Sequence, residues 1–185
     1  RETIGPPLEG VAVQVRDDHE NLLPAGKEGE LYVRGPNVML GYYRWQVEAD
    51  NPITPDGWLK TGDMAKLDED GYVRIVGRKK ELIISSGMNI YPRQIEEVLL
   101  SHPAVQEAAV IPMEDPLRGE APRAVICLSS PKSVEPAQLK QYCMERLADY
   151  KVPRRIEILE ELPKTPTGKI SKKDLVSLFQ DQSSE

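Results

Sequence analysis

No stretch of the 185 residues approaches the roughly 20 apolar positions that a membrane-spanning helix needs, and the opening RETIGPP has none of the marks of a secretory signal. Cysteine is scarce. Cys127 and Cys143 have no further Cys or His at metal-ligand spacing, so they read as two packed free thiols. His19 sits in a DDHEN turn and His102 at a helix end, neither with the Cys or Asp neighbours of a nucleophile pair. Positive charge is in deficit, 24 Lys and Arg against 30 Asp and Glu. The net charge of −6 disfavours a broad grip on nucleic acid or anionic lipid, though not a local basic patch. Internal repeats and low-complexity tracts are absent. The cytosol is the compartment expected, and the missing initial Met suggests an excised piece that opens within a loop.

What is present describes an ordinary globular protein: 39% hydrophobic and 29% charged residues, with length for one sizeable domain or two small ones. Residues 1–79 read as β. Val11, Val13 and Val15 alternate with polar neighbours, as do Leu31 with Val33 and Val73 with Ile75, between turns rich in Gly, Pro, Asp and Asn. Short alternating strands of this kind predict a small antiparallel barrel-like or sandwich subdomain.

Beyond residue 80 the period changes. Ile95, Val98 and Leu99 fall on one helical face, with Pro92 suited to the first turn and Pro103 ending the segment. A second stripe, Leu139, Tyr142, Cys143 and Leu147, follows Pro136, and a third, Leu175, Leu178 and Phe179, follows a cap at Ser171. Strands are expected over 105–111, 123–128 and 155–159, which makes residues 80–185 an α+β domain, a small sheet with three helices. The boundary is placed at the basic cluster Arg78, Lys79, Lys80, and the polar end, 180–185, is expected to fray.

Three ordered runs carry the functional reading: KTGD (Lys60 to Asp63), GRKKELIISSGMNIYPRQIE (Gly77 to Glu96) and LPKTPTGK (Leu162 to Lys169). Taken singly, each candidate has an ordinary explanation: Lys169 a solvated loop lysine, Asp63 a turn or cap aspartate, Arg78 and Lys80 surface cations, Gly87 a turn glycine. Together, and in this order, they resemble the adenylate-forming acyl-CoA synthetases, and GELYVRGPNVMLGYY (Gly29 to Tyr43) matches as well. In the last of these the glycines are read as turns and Tyr42 and Tyr43 as core or interface. The likeness runs from about Ile4 to Leu175, and SGMNIYPRQIE is closer to fatty-acyl-CoA ligases than to amino-acid adenylating modules.

The resemblance implies a carboxy-terminal fragment that ends a larger enzyme joining a carboxylic acid to CoA at the expense of ATP, through an acyl-adenylate. It implies Lys169 as the cation of adenylation, Asp63 on the ribose hydroxyls, Arg78 as a planar donor to the ribose or a phosphate, Lys80 as the hinge of a mobile lid, and Gly87 beside the pantetheine arm. Glu96 is read as a structural contact. The chemistry fits: charge building on phosphoryl oxygens calls for a late-arriving cation, and a carboxylate can accept from two vicinal hydroxyls. Lys79, Lys80, Lys151, Arg154 and Arg155 are weaker candidates for the CoA phosphates. No Ser/Thr/Gly-rich phosphate loop and no adenine or Mg2+ segment is found, so the missing amino-terminal domain is the expected partner and the fragment alone is expected to be inactive. Two other readings stay open, a module loading a carrier protein and a non-catalytic binding module.

Overall fold

The structure, a computed structural model, describes residues 3–42, 51–130 and 134–180. Tyr43 and the tail 181–185 lie outside the described residues. The chain divides into two compact units, Arg1–Lys80 and Glu81–Glu185.

The first unit is a four-stranded antiparallel sheet in sequence order: β1 (Ala12–Arg16), β2 (Glu28–Arg34), β3 (Leu59–Leu67) and β4 (Val73–Arg78). It is open; no closed barrel forms among the described residues. Alternation sorts its faces. Val15 pairs with Leu31 and Val13 with Val33, and these join Ala65, Leu67, Val73 and Ile75 in one apolar cluster. The opposite face carries Tyr32 and Trp58, both buried, under the guanidinium groups of Arg16 and Arg34, which stand 4.6 and 4.7 Å from the Tyr32 and Trp58 ring centres respectively.

Gly29 departs from the turn role expected of it. It lies inside β2, where a Cβ would come within 2.3 Å of the Arg16 carbonyl oxygen and 2.7 Å of the Leu23 side chain. Close backbone approach, and not a bend, requires glycine at this position.

The second unit is a five-stranded sheet between helices. Its order is β6 (Met88–Ile90), β5 (Ile83–Ser85), β8 (Gly119–Leu128), β7 (Val105–Asp115), with β9 (Arg155–Ile158) pairing in parallel to β8. The apolar run of β8 is buried on both faces. Ala124, Ile126 and Leu128 face the cluster built with Ile95 and Leu99 of α1 (Pro92–Leu100) and Leu139 and Cys143 of α2 (Pro136–Met144). Val125 and Cys127 face the other, with Leu175 and Phe179 of α3 (Lys172–Gln180). A bulge at Gln106 keeps β7 in step: Val105 pairs with Leu128 and Ala108 with Ile126, so both reach the first cluster despite their odd spacing.

Each helix begins where its sequence allows. α1 and α2 open on proline, whose missing N–H is not needed there. At α3 the Ser171 hydroxyl accepts from the Asp174 N–H at 3.4 Å. Both cysteines are buried free thiols, and burial raises Cys143 to about 11. Gly29→Ala should lower stability by about 1–3 kcal/mol through overpacking against fixed backbone, measured as a drop in the urea midpoint. Gly26→Ala, in open space, should cost less, through its positive φ alone.

Candidate functional site

In the first unit, Asp63 and Arg78 are brought together by strand register. They are direct partners across β3 and β4, and Arg78 Nε lies 2.8 Å from Asp63 Oδ1. The carboxylate is a quarter exposed and the guanidinium about half, so one oxygen is fixed while the pair stays open to solvent. Glycine makes the local geometry. Glu30 pairs with Met64 and Tyr32 with Lys60, so Leu31 alone opposes Thr61, Gly62 and Asp63, a bulge turned by Gly62 at φ 71°. The Thr61 hydroxyl stitches it, donating to the Leu31 carbonyl at 2.8 Å and accepting from the Asp63 N–H at 3.0 Å. KTGD therefore spells a bulge that re-aims its aspartate.

Glu30, on which the sequence reading placed no weight, lies beneath this bulge. It is 8% exposed; its Oε1 accepts from the Gly62 N–H at 3.3 Å and its Oε2 from the Lys79 ammonium at 3.0 Å. Lys79 also reaches Asp18 at 3.0 Å. The bond to Glu30 is the main reason that the Lys79 ammonium is held above the ordinary lysine range. The only local signal was a charge between apolar strand residues, and its partner lies 49 positions away. Lys79 to Glu81 form a single 3-10 turn, and Lys80, its middle residue, is exposed.

In the second unit, Ser86 and Gly87 make the two-residue loop between β5 and β6, at φ 50° and 77°. Positive φ at both positions is the primed hairpin turn that follows right-twisted strands. A Cβ on Gly87 would meet nothing within 4 Å, so its backbone angle, not crowding inside this chain, is the constraint. The neighbouring hairpin holds the loop: the Ser86 N–H donates to the Arg118 carbonyl at 2.9 Å.

TPTGK is turn chemistry throughout. The Gly168 N–H donates to the Thr165 carbonyl at 2.8 Å, the Thr165 N–H to the Lys169 carbonyl at 2.7 Å, and the Thr165 hydroxyl accepts from the Lys169 N–H at 3.3 Å. Pro166 follows the first turn residue and Gly168 takes φ 81°, the pattern of a three-residue hairpin loop. Gly168 therefore completes a hydrogen-bonded turn, and Lys169 follows it with the reach of its own four-carbon chain.

The lysines around this turn differ in their partners. Lys164 lies 2.7 Å from Glu107, and Lys172 lies 2.6 Å from Glu81 and 2.8 Å from Glu96. Glu96 also accepts from the Val110 N–H at 2.8 Å. Lys169 is exposed, and among the described residues no carboxylate lies within ion-pair reach of it. Of the weaker candidates, Lys151 bonds Gln94 at 2.7 Å and Arg154 bonds Asp115 at 3.2 Å. No group of three or more His, Cys, Asp or Glu among the described residues is placed to hold a metal ion.

Two family models match the chain; Glu30 and the TPTGK turn fall within the matched ranges, and Asp63, Arg78, Lys80 and Gly87 fall between them. The family described as "AMP-binding enzyme C-terminal domain" matches residues 94–169, and "AMP-binding enzyme" matches residues 1–43. A long-chain-fatty-acid–CoA ligase of Yersinia pestis is 46% identical over 94% of this chain and 30% of its own length. Among solved structures, ATP-bound MatB from Rhodopseudomonas palustris is 35% identical with a TM-score of 0.88, over 97% of this chain and 36% of that one. The o-succinylbenzoate CoA synthetase MenE from Bacillus subtilis, in complex with the acyl-adenylate intermediate OSB-AMP, is 40% identical with a TM-score of 0.87, over 94% and 35%. The chain thus spans about a third of the length of the proteins it matches.

The turn at Gly87 yields a stability prediction. Gly87→Ala should cost about 1 kcal/mol because alanine resists the left-handed region, and Gly87→Asn, which tolerates it better, should cost less. Equal losses by chemical denaturation would show that backbone angle is not the constraint.

Proposed function

The chain belongs to the AMP-binding, adenylate-forming enzymes, and from that premise we propose that it serves an AMP-forming acyl-CoA ligase, supplying the cation of adenylation and part of the nucleotide and CoA sites. In this reading residues 1–79 complete the body that holds ATP and acid, and residues 80–185 are the lid that turns on Lys80. The work is cytosolic, in keeping with two reduced, buried thiols.

The observation that carries the proposal is the partnering of the lysines around the TPTGK turn. Lys164 and Lys172 are neutralised by fixed carboxylates, while Lys169 stands on a rigid turn with its ammonium uncommitted among the described residues. A rigid base and a free charge suit a group that must meet phosphoryl oxygens as their negative charge grows, because little reorganisation is left to do in the transition state. Asp63 keeps Oδ2 for a ribose hydroxyl while Oδ1 is held by Arg78, and Arg78 retains further N–H donors for the second hydroxyl or a phosphate.

ATP and CoA are the substrates proposed beside the acid, with Mg2+ bound by parts of the enzyme that have no counterpart here. MenE, described with a succinylbenzoyl adenylate, and the Yersinia fatty-acid ligase share this region to a similar degree. Such likeness across two acids fits a segment that handles the common adenylate and leaves the choice of acid elsewhere. A fatty acid is proposed because relatives 46% and 42% identical to this chain are long-chain-fatty-acid–CoA ligases.

The test requires this chain together with the nucleotide-binding body that its relatives carry. Lys169→Ala should slow adenylate formation, measured by pyrophosphate exchange, by a hundredfold or more, about 3 kcal/mol, while thioester formation from supplied acyl-adenylate is spared. Gly87→Asn should do the reverse, keeping adenylation and slowing transfer to CoA. Equal losses in both half-reactions for Lys169→Ala would overturn the assignment.

A further inference from the structure

The segment Arg78, Lys79, Lys80, Glu81 carries four consecutive charges, and the structure treats them unequally. Arg78 is tied to Asp63. Lys79 is tied to Glu30, a carboxylate only 10% exposed, and to Asp18. On the other flank, Glu81 accepts from the Lys172 ammonium at 2.6 Å, and that ammonium is fixed in turn by Glu96 at 2.8 Å. Glu96 is itself seated by the Val110 N–H of β7. Lys80 alone in the run has no ion pair among the described residues.

We propose that these two sets of contacts are clamps that confine backbone rotation to Lys80: Glu30 and Asp18 hold Lys79 to the first unit, and Lys172 with Glu96 holds Glu81 to the second. The inference rests on the reading of Lys80 as a hinge, and goes beyond it in naming positioning residues that decide where the hinge begins and ends. A hinge needs boundaries as much as it needs freedom. If several neighbouring residues share a rotation, the two units adopt many orientations; if one residue takes it all, a change in two dihedrals gives a reproducible swing.

The clamps suit this task by chemistry and by location. Glu30 is held by the same strand register that builds the Asp63 bulge, since its second oxygen accepts from the Gly62 N–H. A tug on Lys79 is therefore resisted by β2 and β3 and not by a mobile side chain. Lys172 opens α3, immediately after the turn that carries Lys169, so the contact that stops the hinge on one side also fixes the base of the proposed catalytic lysine. Breaking either clamp leaves a carboxylate without its cation partner, and the nearly buried Glu30 has little water to compensate it.

Backbone 15N relaxation on the 185-residue chain, which needs no substrate, tests the proposal. The wild type should show order parameters near 0.85 at Lys79 and Glu81 and a lower value at Lys80. Glu30→Gln should drop Lys79 below about 0.6 and leave Glu81 unchanged; Lys172→Met should do the converse; Lys79→Arg and Lys172→Arg should keep the wild-type profile. Should Glu30→Gln disturb the fold, Lys79→Met reads the same clamp from its exposed end.

The proposal is overturned if Lys79 or Glu81 is already as mobile as Lys80 in the wild type, if the variants leave them rigid, or if each variant loosens both flanks alike. It is also overturned if Glu30→Gln and Lys79→Met both lose the dispersed spectrum of the first unit, because the pair would then hold that unit and not its end. The outcome is independent of the Lys169→Ala half-reactions, so either reading can fail while the other stands.

Discussion

Burial of β8 on both faces is the constraint on which the second unit depends. A strand whose consecutive residues Ala124 to Leu128 are all apolar cannot lie at a surface, so one face takes α1 and α2 and the other takes α3. Placing α3 there fixes the residue that opens it, Lys172, and the turn that precedes it. Pairing of Ser85 with Gly119 at the start of the same strand fixes the hairpin that carries Gly87. The proposed chemistry stands on two hairpin loops whose bases are set by one hydrophobic strand.

The first unit solves a different problem. In the proposed role Asp63 must be held without being consumed, and a regular strand would hold it in the alternation of its neighbours. The bulge at Gly62 breaks that alternation, and Arg78 holds one carboxylate oxygen from the next strand. Glu30 underwrites the arrangement from below, so a residue outside the proposed chemistry links the bulge to the segment leading to Lys80.

Much of the fold was legible because it is written in local periods. The alternation of Val13 and Val15, of Leu31 and Val33, and of Val73 and Ile75 became β1, β2 and β4, and the three apolar stripes became α1, α2 and α3, with Leu147 falling past the end of α2. β3 escaped notice because its bulge destroys period 2 and nearly all its residues are half-buried. β5 and β6, three residues each, are too short to show a period. Gly29 was expected in a turn and lies within β2, because a glycine announces that a side chain is unwelcome, but not whether the cause is a turn, a backbone angle or a neighbouring strand.

The sequence by itself determined the kind of elements, the turn chemistry of TPTGK and SSG, and the family to which the chain belongs, since each rests on residues that are adjacent or a few positions apart. Tertiary structure alone decided which charges are spent and which remain free. Lys172 meets Glu81 across 91 positions and Lys79 meets Glu30 across 49. Every lysine in the sequence carries the same charge, and only folding decides which carboxylate, if any, comes within 3 Å of it.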